Sequence, residues 1–357
     1  MFMKRKLLGL AALMAALCLL AIGACADDFD VRDGVLVRYS GRGGEVSVPA
    51  GVRAIGEEAF AGCKKLTGVT LPEGVEEIGR EAFRDCDALR FAVLPEGLRV
   101  IGENAFGNCE ELREAVIPAS VESIGAEALW NCEKLASVTV AEGNEAYASR
   151  DGVLYDRDFS TLVLYPAAKP DRTFAIPDTV RVIGAAAFGP NEELREVTIP
   201  DGVTEIRKKA FKYCEALRSL ALPDTVTSIG AEAFKYCEDL ESIVLSENIT
   251  EIPEAAFKYC ESLRRLDVPR SVTRIGDMAF KYCESLRSVG GCGGVKSIGN
   301  DAFKYCKSLR EIELPACVRQ IDQDAFKCAD VSLCVRGEAG SYAESYAKEH
   351  RIAFSAL

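Results

Sequence analysis

The chain has 357 residues, 48% hydrophobic and 27% charged, a composition that argues against wholesale disorder and supplies enough apolar surface for a continuous core. Its formal net charge is −12, and loss of Lys4, Arg5 and Lys6 with a leader leaves 40 basic residues against 55 acidic ones, or −15. That balance argues against nucleic acid as a partner and against electrostatic docking on anionic lipid.

Residues 1–26 read as an export signal, with Lys4, Arg5 and Lys6 ahead of an apolar run from Leu7 to Ala24 and small residues after it. The mature chain is therefore predicted to be extracytoplasmic, secreted or attached to the cell surface. Ala24-Cys25-Ala26 fits ordinary cleavage before Asp27. Ile22-Gly23-Ala24 followed by Cys25 fits a lipoprotein site instead, in which the Cys25 thiol takes the lipid, and an uncleaved anchor is a third form, since the run just reaches the ~20 residues needed to span. Any membrane attachment is predicted to run through such an anchor only.

After an N-terminal β cap over 27–50, the phrase VxxIGxxAFxxCxxLxxVxLP recurs in phase. Its anchor falls at Phe60, Phe83, Phe106 and Leu129, then at Phe188, Phe211, Phe234, Phe257, Phe280, Phe303 and Phe326. Every step is 23 residues except that from Leu129 to Phe188, which is 59, one repeat plus a 36-residue insertion. An Ile stands five residues before every anchor, and a Leu six after it in the first ten copies. Ordering 23 residues costs about 1–2 kcal/mol each, so one copy cannot fold alone and copies must stack. Leu66-x-x-Val69-x-Leu71, closed by Pro72, reads as a short buried strand, and Ala59, Phe60 and Cys63 at spacings of three and four read as a turn or two of helix.

The predicted fold is thus an α/β repeat solenoid: a superhelix with one continuous parallel sheet on the concave side and short helices on the convex side. Repeats 1–4 occupy 51–142 and repeats 5–11 occupy 179–332. The insertion, 143–178, repeats the pentapeptide of the first cap, Arg32-Asp33-Gly34-Val35-Leu36, as Arg150-Asp151-Gly152-Val153-Leu154, and reads as a second cap unit. Within it, residues 153–155 and 162–165 predict a β-hairpin protruding from the solenoid wall. A C-terminal cap over 333–357 carries Tyr342, Ala343, Tyr346 and Ala347 at helical spacing.

Across about residues 30 to 350 this pattern resembles the BspA-like leucine-rich repeats, the bacterial 23-residue class. The resemblance implies a surface or secreted protein, with some relatives acting as adhesins toward host proteins or other microbes, and brings no catalytic residues to carry over.

Nine of the 15 cysteines, from Cys63 to Cys306, stand three residues after an anchor. Equivalent positions in neighbouring coils lie ~4.7–4.9 Å apart, wide for the ~3.8 Å Cβ separation of a disulfide, so the column reads as buried space-filling thiols. Cys292, Cys317, Cys328 and Cys334 lie off it, and any disulfide is to be sought among them. Tyr213, Tyr236, Tyr259, Tyr282 and Tyr305 form another column beside Lys212, Lys235, Lys258, Lys281 and Lys304. It is either an aromatic platform for a glycan or protein, or rings of duplicated copies packing on one another. The lysines have acids three residues on, such as Glu215 and Glu261, suggesting helical ion pairs.

A third column, Thr70, Val93, Val116, Thr139, Thr198, Ala221, Val244, Asp267, Gly290 and Glu313, is predicted on the exposed strand face. Arg90, Arg113, Arg195, Arg218, Arg264, Arg287 and Arg310 follow the repeat's Leu, to receive an acidic ligand or to neutralise the acids three residues earlier. The only histidine is His350, which leaves no partner for Ser or Cys nucleophiles and no His-rich metal site. Asp156 with Asp158, and Asp27 to Asp33, match no recognisable Ca²⁺ loop. No cofactor or metal is implied. The sequence reads as a non-enzymatic, adhesin-like module binding an extracellular protein or glycan. A structural cell-envelope spacer is the alternative, and a polysaccharide-acting hydrolase a distant third.

Overall fold

The structure is a computed structural model and describes residues 26–357. Both export readings, including lipidation at Cys25, lie outside those residues. The chain forms two compact units, the first ending at Leu129 and the second starting at Trp130. Each is a β-solenoid of parallel ladders.

A copy supplies two strands rather than the one predicted. A longer strand follows the repeat's Leu, as in Leu66–Thr70 and Ser219–Ala221, and a two-residue strand carries the constant Ile, as in Ala54–Ile55 and Glu205–Ile206. Both pair in parallel at a shift of one repeat: Ile55 with Ile78 and Val69 with Ala92 in the first unit, Ile206 with Ile229 and Leu220 with Ile243 in the second. The expected single continuous sheet is instead a series of short ladders, of six and three strands in the first unit. In the second unit the Ile ladder ends at Ser228–Ile229 and restarts at Glu251–Ile252. The sequence gives the reason: where Gly230 and Gly276 each donate an amide to an Ile carbonyl of the preceding copy, Pro253 has no amide to give.

The predicted short helices do not form. The residue two before the anchor is left-handed, as at Glu58, Glu81, Lys209 and Glu232, with φ between 54° and 61°. The residue two after it is left-handed again, at Asp85, Asn108 and the five column tyrosines, with φ between 58° and 67°. Two left-handed residues within five positions cannot continue a right-handed helix. The anchor amides bond across copies instead, Phe60 to Ala82 O and Phe211 to Ala233 O, both at 2.7 Å. Spacings of three and four thus mark a compact turn wrapped around the Phe. The α-helix found among the described residues is Tyr342–Glu349, capped by Ser341, whose side chain accepts from the Glu344 amide.

The two Asp-Gly pentapeptides fold alike. Asp33 and Gly34 take φ of 51° and 80°, Asp151 and Gly152 take 51° and 79°, and each pair closes a two-residue hairpin that requires positive φ at both positions. Val35–Tyr39 then pairs in parallel with Ala54–Ile55, and Thr161–Leu164 with Val182–Ile183. The predicted hairpin over 153–165 therefore does not protrude: it lies in the plane of a ladder, with Val153, Leu154, Tyr155, Leu162 and Tyr165 buried.

Each core is built on a column of stacked rings. In the first unit Tyr39, Phe60, Phe83 and Phe106 stack at 4.8–5.0 Å. In the second, Tyr165 begins a column that runs through every anchor from Phe188 to Phe326 and ends edge-on against Tyr346. The cysteines lie beside these rings and do more than fill space. Sγ of Cys86, Cys237, Cys260, Cys283 and Cys306 each donates to the carbonyl of the anchor one copy earlier at 3.2 Å. Burial pushes these thiols well up, so they stay protonated donors. None of the thirteen described cysteines is in a disulfide, the four off the ladder included.

Candidate functional site

The strand-face column behaves as a pleat predicts. Along Thr198, Ala221, Val244, Asp267 and Glu313 each strand buries its middle residue and exposes its ends. Val244 is 63% exposed, and Ala221 pairs with it in register. Gly290, paired with Asp267, is half-buried, and Thr139 is exposed. In the first unit Val93 and Val116 are exposed and Thr70 is half-buried.

Arg218, Arg264, Arg287 and Arg310 are exposed beside this row, and Arg195 is half-buried. They do not neutralise the acids three residues before them. Arg264 pairs at 3.1 Å with Glu241, which holds the same repeat position one copy earlier, and Arg310 reaches Asp330 of the following copy at 3.8 Å. Among the described residues Arg195, Arg218 and Arg287 make no ion pair. The acidic column is left to repel itself: burial first, then neighbouring Glu238 and Glu192, raises the Glu215 carboxyl, and burial with Glu238 and Glu284 raises that of Glu261.

The five tyrosines stack face to face with centroids 4.5–4.6 Å apart and planes within 11°. Their faces are thus used by one another, and all five residues are half-buried. Trp130 approaches the first ring, Tyr213, at 6.4 Å. Each column lysine sits 5.3–5.8 Å from the centroid of the adjoining Tyr ring.

The predicted pairs between these lysines and acids three residues on are not made, because the segment is a turn. The partners lie three residues back, at the first left-handed position. Glu232 bridges Lys212 at 2.8 Å and Lys235 at 3.1 Å; Asp301 bridges Lys281 at 2.7 Å and Lys304 at 3.1 Å. Burial alone would raise the Glu232 carboxyl, but hydrogen bonds and charge from both lysines outweigh it and hold it to about 2. These bridging acids escaped the sequence reading; the signal for them is acidic residues recurring two before the anchor.

His350 stacks on Tyr346 at 4.0 Å, with Nδ1 3.0 Å from the Tyr346 carbonyl. It borders a polar cleft of about 730 Å³ between the last copy and the terminal helix, which also holds the exposed Cys328. Asp156 turns out to be a turn cap, accepting from the Ser160 and Thr161 amides and the Ser160 hydroxyl. Among the described residues no group of three His, Cys, Asp or Glu side chains is arranged to hold a metal.

Parallel ladders in 23-residue register, with Leu, Ile and Phe at fixed inward positions, define a leucine-rich repeat solenoid. The chain belongs to the BspA-type leucine-rich repeat family: the model of the BspA type leucine rich repeat region matches residues 40–149, 171–287 and 250–335. Among solved structures, a leucine-rich repeat protein from Eubacterium ventriosum is 29% identical with a TM-score of 0.73, over 80% of this chain and 83% of that one. The pneumococcal vaccine antigen PcpA shares the fold at 22% identity and a TM-score of 0.61, over 88% of this chain and 79% of its own. A leucine rich cell surface protein from Faecalibacterium prausnitzii shares it at 23% and 0.51, over 95% and 99%. No curated protein sequence matches the chain.

Proposed function

We propose that this is an exported interaction module, secreted or attached to the cell surface, that holds an extracellular protein or glycan, adhesin-like, on the exposed strand face of its second unit. One observation carries the reading. Thr198, Ala221 and Val244 end the exposed strands of one ladder and Asp267 and Glu313 those of the next, beside guanidinium groups at Arg195, Arg218 and Arg287 that have no ion partner among the described residues. Such groups match carboxylates on a partner in planar, bidentate fashion. A flat row of strand residues suits a macromolecule better than a small molecule, which needs a concave site. Export rests on the leader from Lys4 to Ala24, with cleavage before Asp27 or lipid on Cys25 as its two forms. Binding is favoured over catalysis because the single histidine is held by Tyr346 in the terminal cap.

The test uses residues 27–357 against a panel of extracellular matrix proteins and a glycan array. Saturable binding that falls at least tenfold in Val244→Arg and in Arg218→Glu, and survives Tyr→Phe changes in the tyrosine column, supports the strand face. No binding to any probe would favour a structural spacer. Hydrolysis of a polysaccharide would overturn both.

A further inference from the structure

The lysine column of the second unit is closed by carboxylates at one repeat position, two before the anchor. An acid there bridges the lysine of its own copy and that of the copy before, as Glu232 does for Lys235 and Lys212 and Asp301 for Lys304 and Lys281. The two copies between them break this rule in succession. At that position they carry Ala255 and Met278. Lys258, which would touch both, is left with the Met278 thioether at 3.9 Å and the Tyr259 ring at 5.4 Å, and with no carboxylate in ion-pair reach among the described residues. Its neighbours along the column are Lys235 and Lys281, each held by its one acid.

We propose that Lys235, Lys258 and Lys281 form an anion-binding notch that takes an aspartate or glutamate side chain from an acidic segment of a partner protein. The chemistry follows from the pattern, because in the copies on either side the same gap is filled by a carboxylate of the chain itself. Glu232 holds the Lys235 ammonium and Asp301 that of Lys281, and Lys258 lies against the Met278 thioether and the Tyr259 ring, so little side-chain freedom remains to be lost on binding. Burial, then the like charges of Lys235 and Lys281, disfavours the Lys258 ammonium, and Glu232 and Asp301 offset this only in part. An incoming carboxylate relieves that imbalance. The notch stands apart from the strand face, and neither reading depends on the other.

A fluorescein-labelled hexaglutamate peptide, titrated at low salt into residues 27–357 and followed by anisotropy, tests this. The net negative charge disfavours such a peptide in general, and binding at the strand-face guanidinium groups instead is told apart by its surviving Lys258→Gln. Lys258→Gln and Met278→Glu, the second supplying the missing carboxylate from within, are each expected to weaken binding at least tenfold. Lys304→Gln, outside the notch, should leave it within twofold. Circular dichroism confirms that each variant is folded, and Met278→Glu should unfold at a higher temperature than the parent. Absence of saturable binding, equal binding by Lys258→Gln, or inorganic phosphate displacing the peptide at equal anion concentration would each overturn the assignment.

Discussion

Tyr165 lies on Phe188 with ring centroids 5.3 Å apart, the same relationship that Tyr39 has to Phe60 at 4.9 Å. Tyr39 is the last residue of a cap-unit strand and Tyr165 directly follows one, Thr161–Leu164, and in both places the amide bonds to the alanine before the anchor, Tyr165 to Ala187 and Tyr39 to Ala59. The cap units therefore do more than cover an open ladder. Each supplies the first ring of an aromatic column, which without it would start at a Phe with one face bare.

Removing that first ring should be costly. Tyr165 is fully buried and its hydroxyl donates to Asp171 at 3.2 Å. Tyr165→Ala is expected to destabilise the protein by about 3–5 kcal/mol, the range for truncating a buried aromatic, and Tyr165→Phe by about 1 kcal/mol for the lost hydrogen bond. Urea unfolding of the two variants checks both values. Equal losses would show that the ring contributes no more than its hydroxyl.

The tyrosine column sets two effects against each other. Tyr282 has φ of 67°, a region that disfavours residues with a Cβ, and stacks on Tyr259 and Tyr305. Two stacks at about 0.5–1.5 kcal/mol each exceed a left-handed penalty of about 1 kcal/mol. Tyr282→Ala keeps the penalty and loses the stacks, so a loss of about 2 kcal/mol is expected. Asn, which occupies the equivalent position as Asn108 and tolerates that backbone, should cost about half as much. Matching urea midpoints for Ala and Asn would show that the backbone carries no penalty there.

How far these features can be read from the sequence depends on where their causes lie. The inward positions were legible because Ile, Leu and Phe repeat every 23 residues, and a strict repeat has to stack in register. The predicted helices were not, because apolar residues spaced by three and four fit a tight turn as well as a helix. What decides between them is the pair of left-handed residues at positions such as Glu58 and Asp85, and only the second column, with its Gly, Asp and Asn, hints at them. The ion pairs failed with the helices, since Lys212 can reach Glu215 only on a helical surface. Pro253 was visible as a departure from the Ile-Gly phrase, but its consequence needs the knowledge that this amide bonds across copies.

Thiol chemistry should separate the cysteines by place. Cys328 is exposed, whereas Cys86, Cys214, Cys237, Cys260, Cys283 and Cys306 are buried and burial raises their thiols. The thiolate is the reactive form, so a disulfide reagent at pH 8 should modify Cys328 within minutes and the buried ladder only on unfolding. Cys328→Ser should remove the fast phase. Cys63, Cys317 and Cys334 are half-buried and should react more slowly; fast labelling of any of the six buried thiols, located by mass spectrometry, would mean the ladder opens in the native state.

Two sets of carboxylates predict a stability maximum in mildly acidic solution. Glu232 is held to about 2, below its ordinary value, so the stability it supplies is present above pH 4–5 and is lost as pH falls toward 2; Asp301, also lowered against the push of burial by Lys281 and Lys304, acts the same way. Glu215 and Glu261 have the opposite sign. Their carboxyls are raised, so the folded state holds protons more tightly than the unfolded one, and stability rises as pH falls through their raised values toward the ordinary glutamate range. Between the two windows, near pH 4–5, both contributions are favourable, and the net charge of −12 adds a general repulsion that is also smaller there than at pH 7. The unfolding temperature measured from pH 2.5 to pH 8 should therefore peak near pH 4–5. Glu232→Gln should flatten the acid limb, by about 1 kcal/mol once solvent screening of the pair is allowed for. Glu261→Gln should flatten the limb above the peak and raise stability at pH 7. A maximum at neutral pH, or one unmoved by Glu261→Gln, would mean that the acidic column is relaxed by solvent rather than strained.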